Sequence, residues 1–328
     1  MNSMDKKNIR WGIIGCGDVT EVKSGPPYQL TEGFKLEAVM RRDESKAADY
    51  AKRHEVPSYY SNADQLINDN NIDAVYIATP PDSHKLYALK VAAAGKPCCI
   101  EKPLSPSYEE SIAIHKAFEE KGLPLFVAYY RRTLPRFLKV KQWLDNGAIG
   151  EVRHISWMLS KTPSKIDVKG EYNWRTDASV APGGYFDDLA SHGLDLFGYY
   201  FGEFKEVFGI SLNQQNLYTA KDAITGTWVH QNGITGTGTW NFGCDRREDK
   251  VEIFGSKGKI SFAVFEDEDV LLHNEKGTFK EFIAHPKHVQ QFHVAALKED
   301  LFGGDKHPST GTTALHTSWV MDKILGHL

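Results

Sequence analysis

Asp188 and His192 stand four residues apart in the run Pro182-Gly-Gly-Tyr-Phe-Asp-Asp-Leu-Ala-Ser-His192, a spacing that places two side chains on one face of a helix. A carboxylate beside an imidazole orients the ring and raises its basicity, which suits the histidine to general acid–base work. Gly183 and Gly184 allow the backbone to turn tightly into that helix. A solvated ion pair on a helix surface has the same spacing, so the pair gains meaning only from what surrounds it. Asp195 is either a second contact or an exposed acid. Lys102, within Ile100-Glu101-Lys102-Pro103, follows an apolar strand, and ligands of open α/β sheets bind outside the carboxyl ends of strands. A lysine there holds an ammonium near a substrate hydroxyl.

A third set belongs to an anion. Gly12-Ile-Ile-Gly15-Cys-Gly17-Asp18-Val19-Thr20 comes directly after the first apolar run. Gly15 permits a tight strand-to-helix turn, and Gly17 lets the backbone approach a pyrophosphate, whose charge is favoured at a helix N-terminus. Thr20 replaces the third glycine of such a dinucleotide fingerprint and is expected to loosen the helix–strand packing. The second strand ends Val39-Met40-Arg41-Arg42-Asp43. A carboxylate at this point binds the ribose 2′-hydroxyl of NAD, and an arginine accommodates the 2′-phosphate of NADP. Arg41 and Arg42 suit a bidentate phosphate grip, and Asp43 suits a helix cap. The reading favours NADP(H), with NAD(H) as the alternative.

These residues need a scaffold of a particular kind. The chain has 328 residues, 41% hydrophobic and 25% charged, with a net charge of −4. That length suggests about two domains, and the charge lacks the basic excess of a general nucleic-acid binder. Four cysteines are too few for a disulfide scaffold, and reduced thiols in a cytoplasm are the plain reading. No apolar run approaches the roughly 20 residues of a membrane span. Up to residue 128, short apolar strands alternate with amphipathic helices at 45–54, 84–94 and 107–121, a pattern that implies a parallel sheet covered on both faces. In the helix at 84–94, Leu86, Leu89 and Ala93 are expected to share the buried stripe. Cys98 and Cys99 are expected to point to opposite faces of one strand. The remainder, 129–328, has helices at 135–146, 185–200, 289–301 and 312–325, with many strand candidates between. The runs 223–230 and 234–241, joined at Gln231-Asn232-Gly233, carry a strong hairpin signal. The fold expected is an α/β Rossmann domain with a doubly wound parallel sheet over 1–128, then an α+β domain with a large, mostly antiparallel sheet over 129–328.

The ordered combination of a GxG turn, EKP and GGxxxDxxxH resembles the Gfo/Idh/MocA oxidoreductase family over essentially the whole chain. Thr79-Pro80-Pro81-Asp82-Ser83-His84 resembles the family's TP-x-x-x-H turn, which borders the nicotinamide half of the cofactor. The resemblance implies a catalytic set of Lys102, Asp188 and His192, and oxidation of a secondary hydroxyl of a sugar, inositol or related polyol, or the reverse. In that chemistry His192 accepts the hydroxyl proton, Lys102 holds the reacting oxygen, and Asp188 orients His192 or a neighbouring hydroxyl. Gly15, Gly17, Asp18, Val19, Arg41, Arg42, Thr79, Pro80, His84, Glu101 and Lys102 are the expected cofactor contacts. Tyr130, Arg131, Trp174 and Arg175, with Asp188 and His192, are the expected substrate contacts, and Lys161 and Tyr172 lie in the same loop as Trp174. No metal is required, and His285, His288 and His293 lack ligand spacing on one helix face.

Two other activities use the same residues. One holds the cofactor tightly, makes a transient keto sugar and eliminates a leaving group. The other is a nucleotide-sensing regulator without turnover. The expected partners are a small sugar or polyol and further copies of the chain, with no nucleic acid and no membrane. A homodimer or homotetramer is expected to form through the open face of the C-terminal sheet, where Thr225, Thr227, Val229, Thr235, Thr237 and Thr239 alternate along two strands.

Overall fold

Runs of β-branched and aromatic residues bounded by Gly, Pro and Asp become strands here. In the computed structural model, which describes residues 8–328, β1 (Ile9–Ile14), β2 (Phe34–Met40), β3 (Ser58–Tyr60), β4 (Ala74–Ile77), β5 (Cys98–Ile100) and β6 (Leu125–Val127) form one sheet in the order β3-β2-β1-β4-β5-β6. Every pairing in it is parallel. Each face carries its own apolar core. Cys98 packs on one side with Ile14, Ile77, Val91 and Phe118, and Cys99 on the other with Trp11, Tyr76 and Phe126, so the adjacent cysteines do diverge. All four cysteines are unbridged.

The helix His84–Ala93 corrects one expectation. Its buried residues are His84, Ala88, Val91 and Ala92, while Leu86 is 55% and Leu89 37% exposed. Two alanines allow the helix to lie closer to the sheet than a leucine stripe would. Strand β3 and the helix Ala63–Asn68 were not anticipated.

The chain divides into two compact units, though not by a single cut at 128/129. The first comprises the chain as far as Ser105, Glu109–Thr133 and Pro286–Leu315; the second comprises Pro106–Tyr108, Leu134–His285 and His316–Leu328. The helix Gln291–Leu301 adds Val294 and Leu297 to the core around Trp11 and Phe126. Thr310 forms a bridge to Phe126, and Ser309 Oγ donates to Val127 O at 2.7 Å. Residues from the end of the sequence therefore close the β6 edge of the first sheet.

The second unit is built on β7 (Val152–Ser160), β8 (Phe204–Leu212), β9 (Ala223–His230), β10 (Thr235–Asn241), β11 (Glu248–Gly255), β12 (Gly258–Phe262), β13 (Val270–Asn274) and β14 (Gly277–Glu281), in the order β14-β13-β12-β11-β7-β10-β9-β8. β7 and β10 run parallel, and the other neighbours are antiparallel. The β9–β10 hairpin forms at the expected Asn-Gly turn, with Gly233 at φ +85. One face buries Val207, Trp228, Ile155, Ile253 and Ile260. A Cβ at Gly209 would stand 2.2 Å from Ile324 O, so glycine there lets the C-terminal helix touch the sheet backbone. The opposite face presents Phe208, Ile210 and Leu212, 65%, 68% and 51% exposed. Among the described residues no helix is long and apolar enough to cross a membrane.

Candidate active site

In the first unit, the turn after β1 has the geometry its glycines imply. Gly15 adopts φ +94, and a Cβ there would come within 2.7 Å of Thr79 Cγ2 and 2.9 Å of Ala78 C. A Cβ at Gly17 would meet nothing nearer than Gly15 O at 3.9 Å, so the rest of the described chain does not crowd that point of the turn. Thr20 does not loosen this turn as expected. It is fully buried, its Oγ1 donates to Gly17 O at 2.8 Å and accepts from Gly17 N at 3.0 Å, and Tyr50 Oη donates to Thr20 O at 2.8 Å. The helix Asp18–Val22 is only five residues long; Asp18 at its start is exposed and Val19 half-buried. An anion at the turn would rest on its backbone amides more than on a helix dipole.

At the end of β2, Arg41 Nη1 donates to Cys16 O at 3.3 Å, which brings the guanidinium back to the glycine turn; Arg42 is exposed. Asp43 accepts from Ser45 Oγ at 2.7 Å and Lys46 N at 3.2 Å, and these bonds hold its carboxyl below the ordinary aspartate range. It is the helix cap the sequence implied, and it is committed to that role.

Five further cofactor candidates surround β4 and β5. Thr79 Oγ1 accepts from Ser83 Oγ at 2.7 Å, and Pro80 is exposed. His84, read as a cofactor contact, is instead fully buried. Its Nε2 lies 2.8 Å from Thr79 O and its Nδ1 3.1 Å from Pro103 O, and burial lowers its pKa. It ties the turn after β4 to the turn after β5, leaving no ring nitrogen for a ligand. Glu101 is also turned inward, at 7% exposure. Its Oε1 accepts from Tyr76 Oη at 2.5 Å and Gln290 Nε2 at 2.7 Å, and its Oε2 accepts from Lys102 N at 3.3 Å. Lys102 itself is half-buried. Gln290, missed from sequence, lies 189 residues beyond Glu101, and no local pattern links them. Arg131 is buried, with its guanidinium 5.1 Å from the Tyr130 ring centroid.

In the second unit, the expected helix 185–200 begins with a π turn, Phe186–Ala190, before the α-helix Ser191–Phe201. Wide turns of this kind recur at functional sites, and this one carries Asp187 and Asp188. Arg175 Nε donates to Asp188 Oδ2 at 2.9 Å, so two expected substrate residues are partners of one another. The Arg175 guanidinium also sits 4.3 Å from the Trp174 ring centroid. His192 is 3% exposed, with Phe265 edge-on at 5.9 Å between centroids. Asp195 is buried and accepts from Thr317 Oγ1 at 3.2 Å; it is not a surface acid.

The loop bearing Trp174 and Arg175 is fixed by Asp167, which sequence reasoning missed. Its Oδ2 accepts from Ser164 Oγ and Tyr185 Oη, both at 2.6 Å, and its Oδ1 from Asn173 Nδ2 at 3.0 Å. Burial works against the Asp167 carboxylate, yet these bonds hold its pKa below the ordinary value. Lys161 Nζ lies 4.0 Å from the Tyr185 ring centroid, and burial lowers its pKa. Tyr172 is 77% exposed. Asp187 was also missed. It is fully enclosed, accepts from Gly183 N at 2.7 Å, and burial, aided by the charge of Asp322, pushes its pKa up to about 7. Among the described residues no group of three or more His, Cys, Asp or Glu is placed to hold a metal.

Residues 9–129 match an oxidoreductase family with an NAD-binding Rossmann fold, and residues 137–261 match the Gfo/Idh/MocA C-terminal domain. Oxidoreductase P35 of Formosa agariphila is 37% identical over 98% of this chain and 99% of its own. Myo-inositol 2-dehydrogenase of Thermotoga maritima is 27% identical over 82% and 79%. The structure of a levoglucosan dehydrogenase in complex with NADH and levoglucosan superimposes with a TM-score of 0.84 at 22% identity, covering 97% of this chain and 96% of that one. With both family domains present in order, the chain is an NAD-binding oxidoreductase belonging to the Gfo/Idh/MocA family.

Proposed function

We propose that the protein is an NADP(H)-preferring oxidoreductase acting on a secondary hydroxyl, or the matching carbonyl, of a sugar or polyol. The observation that carries the nucleotide preference is Arg41, drawn to the glycine turn, beside an Asp43 already committed to a helix cap. A 2′-phosphate suits that guanidinium, whereas a ribose 2′-hydroxyl finds no uncommitted carboxylate in Asp43. The uncrowded backbone at Gly17 and the Thr79–Pro80 turn suit the pyrophosphate and the nicotinamide end. When bound, such a dinucleotide supplies the hydride acceptor or donor.

The chain supplies positioning and proton transfer. His192 takes the hydroxyl proton during oxidation and returns it during reduction. Lys102 donates a hydrogen bond to the reacting oxygen and offsets its developing charge. Asp188, partnered by Arg175, orients His192 or holds a neighbouring hydroxyl, and Trp174 and Arg175 contribute an aromatic and basic border. Relatives named for inositol and levoglucosan support a polyhydroxylated substrate.

Lys102→Ala and His192→Ala are each expected to lower kcat on a sugar or polyol by roughly 10²–10⁴-fold, with NADPH still raising the melting temperature. Wild-type turnover by both variants would refute the assignment. The open face of the second sheet, with Phe208, Ile210 and Leu212 beside exposed Thr225, Thr227, Thr235, Thr237 and Thr239, supports self-association into a dimer or tetramer.

A further inference from the structure

Arg136 carries a buried guanidinium, 1% exposed. It meets the largely exposed Asp267 at 3.6 Å. It also donates to the backbone of a single loop: Nη1 to Glu266 O at 2.7 Å, and Nη2 to Glu268 O at 3.0 Å and Ala263 O at 3.4 Å. That loop contains four consecutive acids, Glu266 to Asp269, whose mutual repulsion opposes a fixed conformation. A charged donor under three carbonyls holds it.

Phe265 lies at the start of that acidic run, and a second anchor fixes it. Asp249, 7% exposed, accepts from Phe265 N at 2.6 Å through Oδ2 and from Trp157 Nε1 at 3.0 Å through Oδ1. The Trp157 ring supports the helix carrying His192: a Cβ at Gly193 would stand 2.3 Å from it. One buried carboxylate thus links the support beneath His192 to the aromatic ring at its side. Phe265 remains half-exposed while His192 is nearly enclosed, so the phenyl group keeps a surface beside the imidazole.

We propose that Phe265 is a specificity-determining wall of the substrate pocket, giving the C–H face of a cyclic polyhydroxylated substrate an aromatic surface beside His192, with Arg136 and Asp249 as its positioning residues. The proposal rests on the reading of His192 as the proton-handling group. A ring wall discriminates by shape and apolar contact, and such contacts in pockets differ between substrates by roughly 10–200-fold.

The test uses full-length enzyme and the best cyclic substrate from a panel of pyranoses and inositols. Phe265→Ala and Phe265→Leu are expected to raise KM by roughly tenfold with kcat within about threefold, while Phe265→Tyr keeps the wild-type KM. Arg136→Met is expected to raise KM in the same way, and because that variant can fail to fold, the Phe265 series decides. The NADPH-induced melting shift should be unchanged in the Phe265 variants. Wild-type KM in Phe265→Leu, or a fall in kcat at constant KM, would overturn the wall. Failure of the His192 reading would appear separately, as wild-type turnover in His192→Ala.

Discussion

Replacing Asp187 by asparagine tests the electrostatics of the π turn. The carboxyl is fully enclosed, receives a hydrogen bond from Gly183 N at 2.7 Å, and has its pKa pushed up to about 7 by burial and by Asp322. A carboxyl raised in the folded state binds a proton there that the unfolded chain, with a pKa of about 3.9, has released. Stability from this proton is therefore fully present below about pH 4 and lost as pH rises through about 7. With RT of about 0.59 kcal/mol, the single-site contribution is about 2.7 kcal/mol at pH 5 and about 0.1 kcal/mol at pH 8, a loss of about 2.6 kcal/mol. Asparagine keeps an acceptor for Gly183 N and does not titrate. Urea unfolding of both proteins, followed by tryptophan fluorescence at pH 5, 6.5 and 8, should show the variant gaining on the wild type by about 2–3 kcal/mol across that range. A wild-type-minus-variant difference that is flat with pH, at equal m-values, would refute the reasoning.

Three more outcomes are expected. Arg41→Asp should weaken NADPH by far more than NADH in a fluorescence titration, by roughly tenfold or more for one lost charge-assisted pair; equal losses would sink the phosphate grip. Gln290→Leu removes one of the donors on Glu101 Oε1, a loss of about 1–3 kcal/mol for a buried polar group; kcat should fall roughly tenfold with NADPH affinity retained, and the kinetics report whether Lys102 depends on that clamp. Ile210→Lys on the open sheet face should lower the mass measured by light scattering toward about 37 kDa, and an unchanged mass would exclude that face as the contact.

The sequence displayed its strands well because parallel strands are buried on both sides and read as unbroken apolar runs. The glycine turn was equally visible: Gly15 needs a positive φ that few other residues adopt. Asp43 as a cap followed from local hydrogen bonding. What stayed hidden depended on tertiary contacts. Nothing in the pattern of Gln291–Leu301 says that it packs on a sheet more than 150 residues earlier. His84 looked like a ligand contact because its motif position fixes where it stands in the chain, not that both ring nitrogens face backbone carbonyls. Leu86 and Leu89 had the right spacing for a buried stripe, yet Ala88 and Ala92 took that face because small side chains permit closer packing. The pairing of Asp188 with Arg175 joins two residues that were each read as a substrate contact, and it needs the Asp167 network to bring the loop into place.

The return of Pro286–Leu315 to the first unit has a consequence for biosynthesis. The six strands of the parallel sheet have all been translated by Val127, but Thr310 and Ser309, which close the β6 edge, follow about 180 residues later. At roughly 5–20 residues per second, a nascent chain waits on the order of ten to forty seconds with that edge unpaired and the Trp11–Phe126 core lacking Val294 and Leu297. Open strand edges and uncovered aromatic surface invite association with other chains. The N-terminal half made alone, ending near residue 133, should therefore be prone to aggregation, and adding residues 286–315 through a short linker should restore it.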